Sequence, residues 1–182
     1  LPRQRLRLAR RLGAPNITTE PGGPIPDGMS RAEAMNIFVA GLAEVLEVAE
    51  QERVALLVEP EPGLLIETAD EFIELAGHVS SPMFGLNFDI GHFYCVSEPL
   101  PEAVRRLAQF TRHYHIEDIA ASRVHEHLIP GRGAIDFAAV LRAIRDTRYG
   151  GWITVELYPY LDDPDGAGRE ALDHLEAVIA NA

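Results

Sequence analysis

Four residues whose side chains could share one cation stand at the ends of short, strand-like runs. Glu59 follows Val54-Ala-Leu-Leu-Val58, and Asp89 follows Met83-Phe-Gly-Leu-Asn-Phe88. His115 lies near the end of Thr111-Arg-His-Tyr-His-Ile116, and Glu156 follows Trp152-Ile-Thr-Val155. Carboxylate oxygens combined with a neutral imidazole suit Mn2+, Mg2+, Co2+ or Zn2+. Without a cation, three carboxylates facing one cavity would repel one another, and some would hold protons. A divalent ion removes that conflict and can polarise a carbonyl or alcohol oxygen. A carboxylate on each side of such a substrate could remove and return a proton. Taken singly, each acid has a plainer reading as a helix N-cap or a solvated loop residue. Successive runs ending alike favour a shared site.

Two further segments bear on this chemistry. Asp89-Ile-Gly-His92 sets a histidine three residues after the aspartate, with Gly91 expected to allow a tight turn. His125-Glu-His127-Leu-Ile-Pro-Gly-Arg-Gly133 carries two histidines at i, i+2 and then a glycine-flanked arginine. Arg132 could grip a carboxylate or phosphate through two parallel bonds, and its plainer reading is a solvated turn residue. Glu117 shares a strand face with His115 and could orient that imidazole. His113 is expected to point away and pack against a helix. His78 reads as a helix C-terminal residue, His174 as surface, and Trp152 and Phe137 as core. Nothing near Cys95 suggests a lowered thiol pKa.

The elements that must position these groups follow from periodicity. Residues 3–12 read as a helix and 14–18 as a short strand. Glu20–Gly28 is a loop, being dense in Gly and Pro. Ser30 with Glu33 forms a capping box for a helix to about residue 53. The continuous apolar run 54–58 fits a strand buried on both faces. Thr68 and Glu71 open a helix to about 78, followed by a strand at 83–88 and a helix at 99–110. A strand at 111–116, a polar loop at 120–133, a helix capped by Asp136, a strand at 152–155 and a helix at 165–180 complete the chain. Alternation of strand and helix implies an α/β fold with a parallel sheet, read as one domain over residues 1–182.

Composition narrows the function classes. The chain has 182 residues, 47% hydrophobic and 24% charged, as in ordinary globular proteins. Its net charge of −12 argues against broad nucleic-acid binding, which needs a basic surface. No apolar run approaches the roughly 18 residues of a membrane span. The basic start, LPRQRLRLARR, is not followed by the apolar stretch of a secretory signal. A lone cysteine excludes an intrachain disulfide and a Cys-based zinc cluster. A reducing cytoplasm fits best.

At these segments the chain resembles the xylose isomerase-like TIM barrel superfamily, in particular the sugar phosphate isomerase/epimerase group related to endonuclease IV (AP endonuclease family 2). The matching stretches are VALLVEPEPG around Glu59, FGLNFDIGH from Phe84, HYHIEDI from His113, HLIPGRGAIDF from His127 and RYGGWITVELYPY from Arg148, with EPGGP at Glu20–Pro24. The resemblance implies a (β/α)8 barrel of which this chain supplies the C-terminal five β/α units. It implies one divalent ion held by Glu59, Asp89, His115 and Glu156, with Glu59 and Glu156 as the acid/base pair beside a carbonyl. His92, His127 and Arg132 are the implied substrate-binding residues. The arginine that ketose 3-epimerases carry six residues past the metal histidine is replaced by Ala121, leaving Arg123 or Arg132 as substitutes.

The implied activity is isomerisation or epimerisation of a small sugar or sugar-like polyol. A related lyase of the inosose or dehydroshikimate dehydratase type uses similar parts. An endonuclease IV-like nuclease would recruit His92 and His127 as extra metal ligands. A non-catalytic reading makes the shortened barrel a binding or assembly module. In either case a homo-oligomer would cover the exposed sheet.

Overall fold

A computed structural model describes residues 2–181. In chain order the elements are α1 (Pro2–Leu12), β1 (Asn16–Thr19), α2 (Arg31–Glu52), β2 (Ala55–Val58), α3 (Ala69–Gly77), β3 (Phe84–Asp89), α4 (Ile90–Cys95), α5 (Leu100–Leu107), β4 (Thr111–Ile116), α6 (Phe137–Asp146), β5 (Ile153–Val155) and α7 (Pro164–Asn181). The five strands form one sheet in the order β1-β2-β3-β4-β5. The alternation expected from periodicity is therefore present. The chain divides into two compact units, one reaching Asn87 and including Phe110–Arg112, the other comprising Phe88–Gln109 and the residues from His113 onward.

In the first unit, β1 and β2 pair in parallel from Asn16 opposite Ala55 to Thr19 opposite Val58. β2 and β3 pair in parallel from Leu56 opposite Phe84 to Val58 opposite Leu86. All four residues of β2 are buried, as a strand covered on both faces requires. Helix α2 begins with the expected capping box at Ser30 and Glu33 and stops where Arg53 turns left-handed, at φ 54°. Its buried residues include Met35, Leu42, Leu46 and Ala49. Thr68 and Glu71 cap α3 in the same way, and His78 is its C-cap residue. Phe72 of α3 stacks on Phe84 at 5.6 Å and meets Phe110 edge-on at 5.7 Å. Phe72 is fully buried, and a side chain so placed contributes about 1.5–3 kcal/mol.

In the second unit, β4 and β5 pair in parallel from Tyr114 opposite Ile153 to Ile116 opposite Val155. Phe88 packs on Phe93 at 4.4 Å and on Tyr114 at 5.4 Å, and Tyr114 meets Tyr149 at 4.9 Å. Helix α5 contacts α6, and α6 contacts α7. Among the described residues no helix is long and apolar enough to cross a membrane.

Several local expectations are corrected. The segment after Asp89 is helix α4, with Asp89 as its N-cap, so Gly91 sits in a helical turn and not in a loop. Trp152 precedes β5 and is 84% exposed, not core. His113 does not point away from His115. Residues i and i+2 of a strand share a face, and the two rings lie 5.4 Å apart, with His113 Nε2 2.8 Å from Thr154 Oγ1. His174 is half-buried against Gly131 and Phe137.

Candidate metal centre

The end of β2 in the first unit presents Glu59. Its backbone N–H donates to Thr19 O at 3.0 Å, which continues the β1–β2 ladder one residue past the strand. Its side-chain Oε1 accepts a 2.9 Å bond from Asn87 Nδ2. Asn87 is fully buried on neighbouring β3, so this amide fixes the direction of the Glu59 carboxylate. Its role was not foreseen from sequence.

In the second unit β3 delivers Asp89 and β4 delivers His115. Asp89 is fully buried, and its Oδ1 accepts the His92 N–H at 2.7 Å, closing the first turn of α4. Asp89 Oδ2 is buried and makes no hydrogen bond among the described residues. Its nearest imidazole nitrogens are His92 Nε2 at 3.8 Å and His115 Nδ1 at 4.0 Å. His115 Nδ1 is in turn 3.3 Å from Glu156 Oε2. Glu156 stands one residue past β5, its N–H bonded to Ile116 O at 3.1 Å. One ligand atom from each of Asp89, His115 and Glu156 falls within 4.8 Å of the others. The imidazole of His115 holds the Glu156 carboxyl below the usual carboxylate range, against the opposing effect of burial.

A second group of side chains lies in the same unit. His92, His125 and His127 bring one nitrogen each within 4.8 Å of one another, as do potential ligand atoms of Asp89, His92 and Glu117. His125 Nε2 is 3.2 Å from His127 Nε2, and His127 Nδ1 is 3.2 Å from the Glu156 carbonyl oxygen. A carbonyl only accepts, so Nδ1 of His127 carries the proton, and in the neutral ring Nε2 is then the acceptor facing His125. Burial, then the neighbouring His92 and His127, push His125 below the usual histidine range.

The donor set fits a cation. A buried carboxylate oxygen without a hydrogen bond is costly, and a divalent ion among carboxylate oxygens and an imidazole would satisfy it. Arg132 is not in this group. It makes a bidentate pair with Glu170 of α7, with both N···O distances 2.6 Å. Arg123 donates to the Tyr94 carbonyl and lies 4.1 Å above the Tyr94 ring. Asp118, one residue beyond Glu117, binds backbone N–H groups of the Gly131–Gly133 turn. An aspartate after a strand followed by a Gly-x-Gly turn was the sequence signal for it.

Fold and donor set together define the class. Residues 3–178 match the family described as xylose isomerase-like TIM barrel, and the chain belongs to that family. It is 30% identical over 142 residues to fructoselysine 3-epimerase of Escherichia coli O157:H7, covering 76% of this chain and 51% of that protein. It is 24% identical over 151 residues to an inosose dehydratase of Clostridium botulinum, covering 73% of this chain and 51% of that one. A solved D-tagatose 3-epimerase-like protein superposes with a TM-score of 0.85 at 27% identity, covering 98% of this chain and 68% of its own. The chain thus spans about half the length of the curated relatives it matches and carries part of the barrel.

Proposed function

We propose that this chain forms the metal-binding part of an isomerase or epimerase that moves a proton at the carbon beside a carbonyl of a small sugar or sugar-like polyol. The observation that carries the reading is the buried Asp89 Oδ2, without a hydrogen bond among the described residues, facing His115, which in turn faces Glu156. In this reading Glu59, Asp89, His115 and Glu156 hold one divalent ion, Mn2+, Mg2+, Co2+ or Zn2+. Val58 is paired with Leu86, so Glu59 emerges beside Asn87, two residues before Asp89 on the same strand. When bound, the ion polarises the substrate carbonyl oxygen.

The chain's own residues do the rest. Glu59 and Glu156 take and return the proton, one from each side of the carbon. Asn87 keeps the Glu59 carboxylate aimed, and His115 keeps the Glu156 carboxyl ionised and able to accept. His92 and His127 contact substrate hydroxyls. The pairing of Arg132 with Glu170 leaves it to hold the loop, and the imidazoles supply substrate contact in its place.

A lyase of the inosose dehydratase type begins with the same proton abstraction, and an inosose dehydratase is among the similar proteins. The test has two parts. Calorimetry with Mn2+ should give one site per chain, lost in Asp89→Asn. The protein should exchange solvent deuterium into one carbon of a ketose from a panel of ketoses and inososes. Absence of metal binding would overturn the reading, and dehydrated products would move it to the lyase.

A further inference from the structure

Asp118 is 1% exposed and uses every acceptor site of its carboxylate on the backbone of one loop. Oδ1 accepts from Ile119 N at 2.9 Å and Ile135 N at 3.1 Å. Oδ2 accepts from Gly131 N at 2.9 Å and Gly133 N at 2.8 Å. The Asp118 backbone is tied to the same loop, since Asp118 N donates to Leu128 O and Leu128 N to Asp118 O, both at 2.8 Å. These bonds form an isolated antiparallel bridge. The loop is shaped to receive the carboxylate: a Cβ on Gly133 would stand 2.3 Å from Asp118 Oδ1, and Gly131 has φ +96°.

Asp118 therefore joins two parts of the chain that carry chemistry. It lies three residues after His115, and its bridge partner Leu128 directly follows His127. We propose that Asp118 is a positioning residue that sets the placement of His127 relative to His115, acting as an acceptor-only carboxylate; the functional part of this inference rests on the reading of His127 as a substrate contact. An aspartate offers two oxygens with about four acceptor sites, and here four N–H groups occupy them. Asparagine has the same shape but only one acceptor oxygen, and its NH2 would face N–H donors. The same bonds leave the Gly131 and Gly133 amides, which could otherwise cradle a substrate anion, already occupied.

The test is amide exchange and imidazole NMR on the metal-free chain, with Mn2+ calorimetry alongside. In the wild type, the amides of Gly131, Gly133 and Ile135 should exchange as slowly as those of β4, although Gly131 and Gly133 are exposed at the surface. In Asp118→Asn those amides should exchange roughly tenfold faster or more. His127 should change from the Nδ1–H tautomer to a mixture as its bond to the Glu156 carbonyl loosens, while Mn2+ affinity stays as in the wild type. An unchanged His127 spectrum in the folded variant overturns the proposal. If the variant does not fold, wild-type exchange decides, and fast exchange at Gly131 and Gly133 overturns it. If the wild type binds no Mn2+, the metal reading fails while the exchange and His127 data still decide the role of Asp118.

Discussion

Gly91 and Glu117 interlock: a Cβ placed on Gly91 would stand 1.7 Å from Glu117 Oε1 and 2.6 Å from its Cδ. Glu117 is fully buried two residues past His115, and Gly91 lies in the first turn of α4, directly after the buried Asp89 and Ile90. The missing side chain at position 91 thus lets a carboxylate from the end of β4 sit against the turn that Asp89 caps. Substituting Gly91→Ala forces that buried carboxylate or the α4 turn to move, because the clash is with a group that has no solvent to retreat into. Overpacking of this kind costs about 1–3 kcal/mol. A urea midpoint lowered accordingly is expected, and an unchanged midpoint would show that Glu117 swings aside freely.

Gly41 should behave oppositely. It lies in the interior of α2, and a Cβ there would have nothing within 4 Å. Alanine restricts the unfolded chain and suits a helix better than glycine, so Gly41→Ala should stabilise the protein by about 0.5–1 kcal/mol. Paired urea titrations of the two variants separate the steric role of Gly91 from mere helix propensity.

Cys95 should be a poor nucleophile. Burial pushes its thiol up to about 11, the Asp89 carboxylate adds to the rise, and Arg123 opposes it. The thiolate is the reactive form, so alkylation by iodoacetamide at neutral pH should run well below the rate of a small-molecule thiol and climb steeply in alkaline solution. A fast reaction at neutral pH would mean that α4 opens readily. Thiol labelling followed by mass spectrometry measures this.

How far the sequence carried these conclusions differs from residue to residue. Capping boxes at Ser30 and Thr68 were legible because a hydroxyl and a glutamate three residues apart satisfy local donors without help from the rest of the fold. The burial of β2 was legible from its unbroken apolar run. Helix α4 was not, since its six residues carry no apolar period of their own and the helix depends on the Asp89 cap. Asp89, His115 and Glu156 were legible as candidates because parallel strands deliver their C-terminal ends to one side. Their spacing could not show that Arg132 is taken up by Glu170, or that Asn87 holds Glu59, because both contacts join distant parts of the chain.

His125 sets part of the pH dependence of stability. Its folded-state pKa lies below the ordinary histidine value, chiefly through burial and secondly through His92 and His127. As pH falls, the unfolded chain therefore takes up its proton first, and stability is lost as pH drops below about 6.5. The loss levels off below the folded-state pKa. His125→Asn removes this contribution, so the difference between variant and wild-type urea midpoints should change between about pH 7.5 and about pH 5. A constant difference across that range would show that His125 is as free to protonate in the folded chain as in the unfolded one.

Metal addition and removal give the last prediction. A ligand that binds only the folded state stabilises it by RT ln(1 + [L]/Kd), which is about 2.7 kcal/mol at a concentration one hundred times Kd. Mn2+ should therefore raise the melting temperature of the wild-type chain, and EDTA should reverse the rise. The gain should vanish in Asp89→Asn, which removes charge from the buried oxygen that faces His92 and His115. The metal-free variant, however, should melt no lower than metal-free wild type by more than a few degrees, since Oδ2 makes no hydrogen bond there among the described residues. It could melt higher, because a neutral amide relieves the burial of that charge. Two outcomes contradict the assignment: a Mn2+ shift of equal size in wild type and Asp89→Asn, which would place the ion elsewhere, and a large loss of metal-free stability, which would make Asp89 a structural residue first. Melting curves with Mn2+, with EDTA and without either distinguish them.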